Sequence, residues 1–445
     1  MKIHYIKSAT VAIEAKGVKI LTDPWLIDGE YYGAWHHYPK LDIRNDFFDS
    51  IDYIYVSHIH PDHFSKSTFS LLNKNIPVLI HRYESPFLKA NIERLGFQVT
   101  ELAHNTRTHL KNGVHINILA ADNCNPELCS RFFGCGIVEA RYGSTQIDSL
   151  AVIDDGRYCV VNSNDCLYDL AGQSLGLLKQ QYPRIDMLLV GYGGAGPYPQ
   201  CFIMPEEDKR RAAENKKKQF LDQGLKYIRS LEPRYVLPFA GTYVLGGRLA
   251  ALQDHRGVPE IEEAAEYFRS HTEDTTEVVL LNSYAYFDLE SGLSSSPYEA
   301  IDPQAKKAYI QETLAGRKLD YENEEYPSPE ELKPLLELAY ARFEKKRNDI
   351  AFQSETKVLL RLGEDAWCSI SAKGQGYSII DAEAKNAIQS GFVSYNVDTR
   401  LLRRILSGPR FAHWNNAEIG SHIEFERKPD IFERGLYYAM NFFHS

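Results

Sequence analysis

The chain has 445 residues, 44% hydrophobic and 25% charged, with a net charge of −10 from 50 Lys+Arg and 60 Asp+Glu. This balance describes a folded globular chain of two or three domains and excludes disordered, collagenous and disulfide-scaffold classes. The acidic excess gives no general pull toward nucleic acid.

Seven cysteines without a CxxC pair read as reduced thiols of a cytoplasmic protein. Met1 leads straight into Lys2-Ile3-His4-Tyr5-Ile6, so no signal peptide is expected. No apolar run approaches the ~20 residues that cross a bilayer, so no membrane span is expected.

Lys2 to Ile6, Val11 to Glu14 and Val18 to Leu21 are short β-rich runs with a turn at Lys16-Gly17, the pattern of an antiparallel meander. Asp23-Pro24-Trp25 closes the third. Asp52 to Ser57 is a buried strand by its β-branched and aromatic content, followed by a helix over Ser65 to Leu72 and a strand over Pro77 to His81. Glu84 to Leu95 is an amphipathic helix stopped by Gly96. Strands are expected at 114–120, 136–140, 149–153, 158–162, 186–190 and 234–238, with helices at 167–181 and 206–230. Ser291 to Pro303 reads as a linker. Beyond it, helices are expected at 304–314, 329–346, 398–406 and 431–443, and strands at 356–362, 367–371, 391–397 and 421–426.

The sharpest feature is Ser57-His58-Ile59-His60-Pro61-Asp62-His63, four metal-ligand side chains within six positions just after a buried strand. Strand alternation points His58 and His60 the same way. The turn at Pro61 brings Asp62 and His63 back, giving two ligand pairs for one or two divalent ions. Imidazoles and a carboxylate suit zinc, iron or manganese. Asp62 doubles as a catalytic base. Trp35, His36 and His37, in the loop after the Asp-Pro-Trp turn, are candidate substrate contacts. So are Gly193 and Gly194 in the loop Gly191 to Pro197, where small residues let backbone N–H groups approach an anion.

The HxHxDH run resembles the signature of the metallo-β-lactamase superfamily. Leu21-Thr22-Asp23-Pro24-Trp25 is similar to the turn of the branch holding ascorbate-phosphate lactonases and N-acyl-phosphatidylethanolamine phospholipase D. The segments LTDPWLIDG, DYIYVSHIHPDHF, GYGGAGPYPQCF and YVLPFAGTYV, with the tail from Asp398, resemble the non-Rieske part of the CMP-N-acetylneuraminate hydroxylases. The resemblance implies an α/β (α+β) fold, an αββα sandwich with its metals at one edge. It further implies a bridging ligand at Asp165. A histidine expected after the strand at 114–120 is replaced by Asn125, a candidate substrate contact. A last histidine is replaced by Pro238-Phe239-Ala240-Gly241.

The expected organisation is a metal-binding sandwich over 1–290, a linker with a helical segment over 291–352, and an α+β domain over 353–445 whose strand and helix order is similar to sterol-carrier-type domains. The expected function is a metal-dependent hydrolase in which a metal-bound hydroxide attacks a small anionic or sugar-linked substrate. The alternatives are an iron-dependent oxygenase of a nucleotide-sugar-like substrate and a non-catalytic metal or ligand binder. The chain has no CxH…CxxH Rieske pattern, so the oxygenase would draw electrons from a separate Rieske or ferredoxin partner.

Overall fold

The computed structural model describes residues 1–83, 86–121, 148–273 and 275–445. Two sheets face each other. The first runs Leu293–Ser294, Tyr286–Asp288, Lys2–Lys7, Thr10–Ala15, Val18–Thr22, Tyr53–Tyr55, Val78–His81, Val99–Leu102. The second runs Glu277–Val278, Tyr235–Phe239, Met187–Gly191, Cys159–Asn162, Ser149–Asp154, His115–Ala120, Thr108–His109. The opening meander pairs antiparallel, and pairing becomes parallel from Val18–Thr22 outward through Tyr53–Tyr55 and Val78–His81. In the second sheet Cys159–Asn162, Met187–Gly191 and Tyr235–Phe239 are likewise parallel.

Strand alternation explains the layers. Ile3, Val11, Ile13 and Ile20 meet Ile116, Ile153, Leu189 and Leu237 between the sheets. The opposite face of the first sheet, with Leu21, Ile54 and Ile80, is covered by Phe69, Leu88 and Ile92. That of the second, with Val152, Val161 and Val190, is covered by Leu178, Leu225, Ile228 and Phe268. This is an αββα sandwich. The strand expected at 136–140 lies outside the described residues.

Leu293–Ser294, within the stretch read as a linker, pairs with Tyr286–Asp288 and extends the first sheet. The carboxy-terminal sheet has five strands in the order Tyr377–Asp381, Ala366–Ser371, Lys357–Arg361, Phe392–Val397, Ile423–Lys428. Tyr377–Asp381 was not expected from the sequence: it is an edge strand with no buried residue, so it carries no alternating apolar signal. Helices Pro329–Asp349, Thr399–Leu406, Trp414–Ile419 and Arg434–Met440 contribute Phe343, Leu401, Trp414 and Met440 to the core of this half.

That core does not stop at the carboxy-terminal sheet. It continues into Trp25, Tyr31, Trp35, Tyr243 and Leu245. The backbone joins the halves as well: Phe425 N donates to Cys201 O (2.8 Å) and Ile203 N to Phe425 O (2.8 Å). Among the described residues no helix is long and apolar enough to cross a membrane.

Glu418, on Trp414–Ile419, makes no side-chain hydrogen bond or ion pair among the described residues, and burial pushes its carboxyl up to about 8. The unfolded chain ionises this group near its ordinary value, so stability is lost as pH rises from about 4.5 to 8. Glu418→Gln is expected to flatten that slope. Urea unfolding at pH 5 and pH 8.5 checks it: the midpoint difference between the two should shrink in the variant.

Candidate metal centre

The centre forms where parallel strands end. Tyr53–Tyr55 lies between Val18–Thr22 and Val78–His81, so its carboxy-terminal end opens beside Asp23. Asp23 takes a left-handed backbone (φ 42°), which carboxylate residues tolerate better than most, and is fully buried. It organises the motif. Ser57 N and Ser57 Oγ donate to its two carboxylate oxygens at 2.7 Å each, and His63 Nδ1 lies 2.9 Å from Oδ2.

These bonds decide which imidazole nitrogens stay bare. The single Ser57 hydroxyl proton goes to Asp23, so Ser57 Oγ accepts from His58 Nδ1 (2.9 Å) and His58 Nε2 keeps its lone pair. His63 Nδ1 donates to Asp23, so Nε2 is the nitrogen turned toward Asp165 and Asp62. Asp148 Oδ1 stands 3.7 Å from His58 Nδ1, too far for a hydrogen bond, and burial, reinforced by Asp165 and Asp23, raises its carboxyl to about 7. Asp148, a lone acid ahead of the strand Ser149–Asp154, carries no motif in the sequence.

His58 Nε2 and His60 Nδ1 face each other at 2.9 Å. His63 Nε2 lies 3.3 Å from Asp165 Oδ2 and 3.5 Å from Asp62 Oδ2. Donor atoms of His58, His63 and Asp165 all lie within 4.8 Å of one another. Ligands bound at about 2.0–2.1 Å in a tetrahedron stand ~3.4 Å apart, so the donor set fits one or two small divalent ions. Asp165 reaches the site because Asn164 turns the chain through a left-handed conformation (φ 46°). The Asn164 amide is pinned by Ser149 O (3.1 Å) and Tyr55 Oη (3.3 Å).

The electrostatics suit cation binding. Burial, then His63 and His60, holds the His58 imidazole well below its ordinary range, so it is neutral. Burial alone would lower His63, but Asp165, Asp62 and Asp23 raise it well above its ordinary range: these carboxylates attract positive charge. Burial raises the Asp62 carboxyl.

Tyr31 was not singled out by the sequence. Its hydroxyl donates to Asp62 Oδ1, and burial followed by the Asp62 charge keeps it protonated well above its ordinary range. Tyr31→Phe leaves one oxygen of a buried carboxylate unsatisfied. It is expected to cost the metal-free protein about 1.5–3 kcal/mol, measured by urea unfolding in chelator.

The other sequence candidates sit as follows. His36 and His37 are buried and turned onto Asp28: His37 Nδ1 at 2.9 Å from Oδ1, His36 Nδ1 at 3.7 Å from Oδ2. Trp35 stacks on Tyr243 at 3.5 Å and lies 4.5 Å from the Tyr31 ring. Gly193 and Gly194 are required by packing. A Cβ on Gly193 would come 2.9 Å from Gly241 Cα, and one on Gly194 2.5 Å from the Phe220 ring. Asn125 lies outside the described residues, as do Asp122, Cys124, Cys129 and Cys135. Ala240, where the resemblance implies a missing histidine, has a left-handed backbone (φ 54°) and donates its N–H to Ser8 O.

A cleft of about 900 Å³ opens between the loop at Gln200–Met204 and the carboxy-terminal sheet, with Arg248, Arg361, Ser421 and His422 on its walls. His422 Nε2 donates to Tyr31 O (2.7 Å), so the cleft wall touches the residue that holds Asp62.

Residues 2–122 match the family model described as a beta-lactamase superfamily domain. A Mycolicibacterium smegmatis protein described as a Rieske 2Fe-2S iron-sulfur protein is 27% identical over 368 residues, covering 77% of this chain and 65% of its own. A cytidine monophosphate-N-acetylneuraminic acid hydroxylase of Asterias rubens is 25% identical over 262 residues, covering 55% of this chain and 35% of its own. The chain thus spans less than two thirds of these relatives' length. Among solved structures, an isothiocyanate hydrolase from Delia radicum gut bacteria aligns with TM-score 0.44 and 16% identity over 65% of this chain and 99% of that one. CmlA, a diiron beta-hydroxylase from Streptomyces venezuelae, aligns with TM-score 0.39 and 16% identity over 63% of this chain and 53% of that one. The match to the beta-lactamase superfamily model thus falls on the segment that builds most of the first sheet of the αββα sandwich and carries the His58–His63 motif at a strand end.

Proposed function

We propose that this chain is a metal-dependent hydroxylase of a small, anionic, sugar-linked substrate, drawing electrons from an iron–sulfur unit outside these residues. The observation that carries the reading is the ligand set: two imidazoles and one carboxylate, His58, His63 and Asp165, converging within 4.8 Å. Two histidines and a carboxylate with open positions are the donor set of non-haem iron oxygenases. The likeness to the Rieske-described relative, over 77% of the chain, and to the hydroxylase of Asterias rubens supports the same direction.

A bound ion would supply a Lewis acid and a site for oxygen or water. His58, His63 and Asp165 would hold it, with His60 and Asp62 beside them as ligands of a second ion, and Asp23 and Ser57 would orient His58 and His63. Tyr31 would keep Asp62 oriented. Substrate would enter from the cleft beside His422, whose walls carry Arg248 and Arg361 together with Glu364, Asp398 and Glu424. Trp35, His36, His37, Asn125, Gly193 and Gly194 remain proposed substrate contacts.

Hydrolysis is the second reading. Asp62 favours it, a buried carboxylate beside the ligands with its charge steered by Tyr31 and able to take a proton from water. The test begins with elemental analysis of protein purified without added metal. Iron-loaded protein is then given CMP-N-acetylneuraminate, a reduced Rieske ferredoxin and oxygen. Oxygen uptake that depends on the probe, with iron near one or two equivalents, is the expected result. Zinc alone, no oxygen uptake and cleavage of ester or phosphodiester probes would replace hydroxylation with hydrolysis.

A further inference from the structure

The tautomers of His58 and His63 are settled inside the sandwich, by Ser57 and Asp23. Among the described residues His60 has no such partner there. Its Nδ1 faces His58 Nε2, and its Nε2 lies 3.2 Å from Oδ1 of Asn415, a residue 355 positions away in the carboxy-terminal half. We infer that Asn415 is a positioning residue of the metal centre: its amide oxygen holds the proton of His60 on Nε2 and so dedicates Nδ1 to the metal. This rests on the metal-centre reading above and adds to it a tail residue that fixes a ligand.

The chemistry leaves little choice. An imidazole that ligates through Nδ1 must carry its proton on Nε2, and a half-buried Nε2–H needs an acceptor. Were the Asn415 amide turned over, Nδ2–H would meet Nε2 and drive the proton to Nδ1. That proton would then sit between His60 and the bare Nε2 of His58, where the ion belongs. With Oδ1 facing His60, two lone pairs point at each other across 2.9 Å, an arrangement a cation between them stabilises.

Asn415 is held firmly enough for this task. It opens the helix Trp414–Ile419, and its N–H donates to the capping His413 Nδ1 (3.2 Å). The neighbouring Trp414 is buried and donates Nε1 to Phe443 O (2.8 Å). The helix is tied to the sandwich at three further points. Tyr32 Oη accepts from His413 N (2.7 Å), His422 Nε2 donates to Tyr31 O (2.7 Å), and Gly420 lies so close to Tyr31 that a Cβ there would come 2.9 Å from the Tyr31 Cβ. Tyr31 and Tyr32 are both left-handed (φ 53° and 60°), a conformation that costs free energy and persists only where the surroundings enforce it. The tail thus reaches two ligands of the centre, His60 through Asn415 and Asp62 through the clamped Tyr31.

The test uses the full chain and Zn²⁺ alone, titrated in competition with a chromophoric chelator. Asn415→Leu keeps the volume and removes the acceptor. It is expected to bind Zn²⁺ about 10–100-fold more weakly with an unchanged unfolding midpoint. Asn415→Asp restores an acceptor and is expected to bind like the parent, a rescue that a mere packing role would not produce. Nitrogen-detected imidazole spectra of the zinc-loaded parent should show His60 protonated at Nε2, and this signal should be lost in Asn415→Leu. If Leu disturbs the fold, Asn415→Ala carries the same expectation. A parent that binds no zinc overturns both the metal-centre reading and this inference. A parent that binds zinc, with Leu and Ala variants binding as tightly and the His60 tautomer unchanged, overturns this inference alone.

Discussion

His63→Ala is expected to strip the metal centre and to destabilise the metal-free protein. His63 donates to Asp23 through Nδ1 and lies against Asp165 and Asp62 through Nε2, all within 3.5 Å. Removing it takes away a ligand and leaves three buried or half-buried carboxylates around a hole with no cation. Breaking a buried ionic cluster by deleting one partner costs about 3–5 kcal/mol. Zinc affinity should fall by more than the ~100-fold that loss of an outer partner produces. Elemental analysis of purified protein and urea unfolding in chelator read the two effects separately. A His63→Ala protein with the parent's full metal content would show that the ligand set is wrong.

Trp414→Ala is expected to have the second large effect, on both stability and metal binding. Trp414 is 1% exposed, packs near Tyr395 and is hydrogen-bonded to Phe443. Truncating a buried indole to a methyl group costs about 3–5 kcal/mol from lost burial and the cavity left behind. The indole also anchors the helix that presents Asn415, so zinc affinity should fall with stability. The urea midpoint and the zinc competition titration should therefore move together. A variant that loses stability but keeps the parent's zinc affinity would place the Asn415 contact outside Trp414's influence.

The sandwich was legible from local pattern. Lys2 to Leu21 reads as three short alternating runs broken at Lys16-Gly17, and the sheet places its opening strands at Lys2–Lys7, Thr10–Ala15 and Val18–Thr22. Asp52 to Ser57 reads as a buried strand because it lies inside a parallel sheet covered on both faces, where alternation gives way to an apolar run. The long helix expected at 206–230 runs over Glu206–Leu231, started by an acidic first turn and closed at a left-handed Glu232. The helix Ile261–His271 and the strand Tyr286–Asp288 escaped, and so did edge strands. Tyr377–Asp381 buries no residue, and Thr108–His109 is two residues long. Such strands are defined by the neighbour they pair with, not by their own composition.

At the site the division follows the same line. The HxHxDH spacing alone put His58, His60, Asp62 and His63 together, because six consecutive residues after a strand cannot lie far apart. Asp165 was reachable only through a family resemblance, and the pairing of His37 with Asp28 needed the tertiary structure to be seen. Tyr31, Asp148 and Asn415 carry no signature. Each is a common residue type in an unremarkable stretch, and its role comes from a partner far along the chain: Asp62, His58 and His60.

What the sequence determined by itself is the chemistry available: a cluster of imidazoles and carboxylates at a strand end, in a chain whose alternation dictates a layered core. Tertiary structure alone decided which partner each imidazole nitrogen meets and which half of the chain supplies it. Tautomers are set by hydrogen-bond partners, and those partners arrive through packing. The core that runs from Trp25 and Trp35 into Trp414 and Phe443 brings Asn415 onto His60 across 355 residues, a separation at which no local pattern carries information.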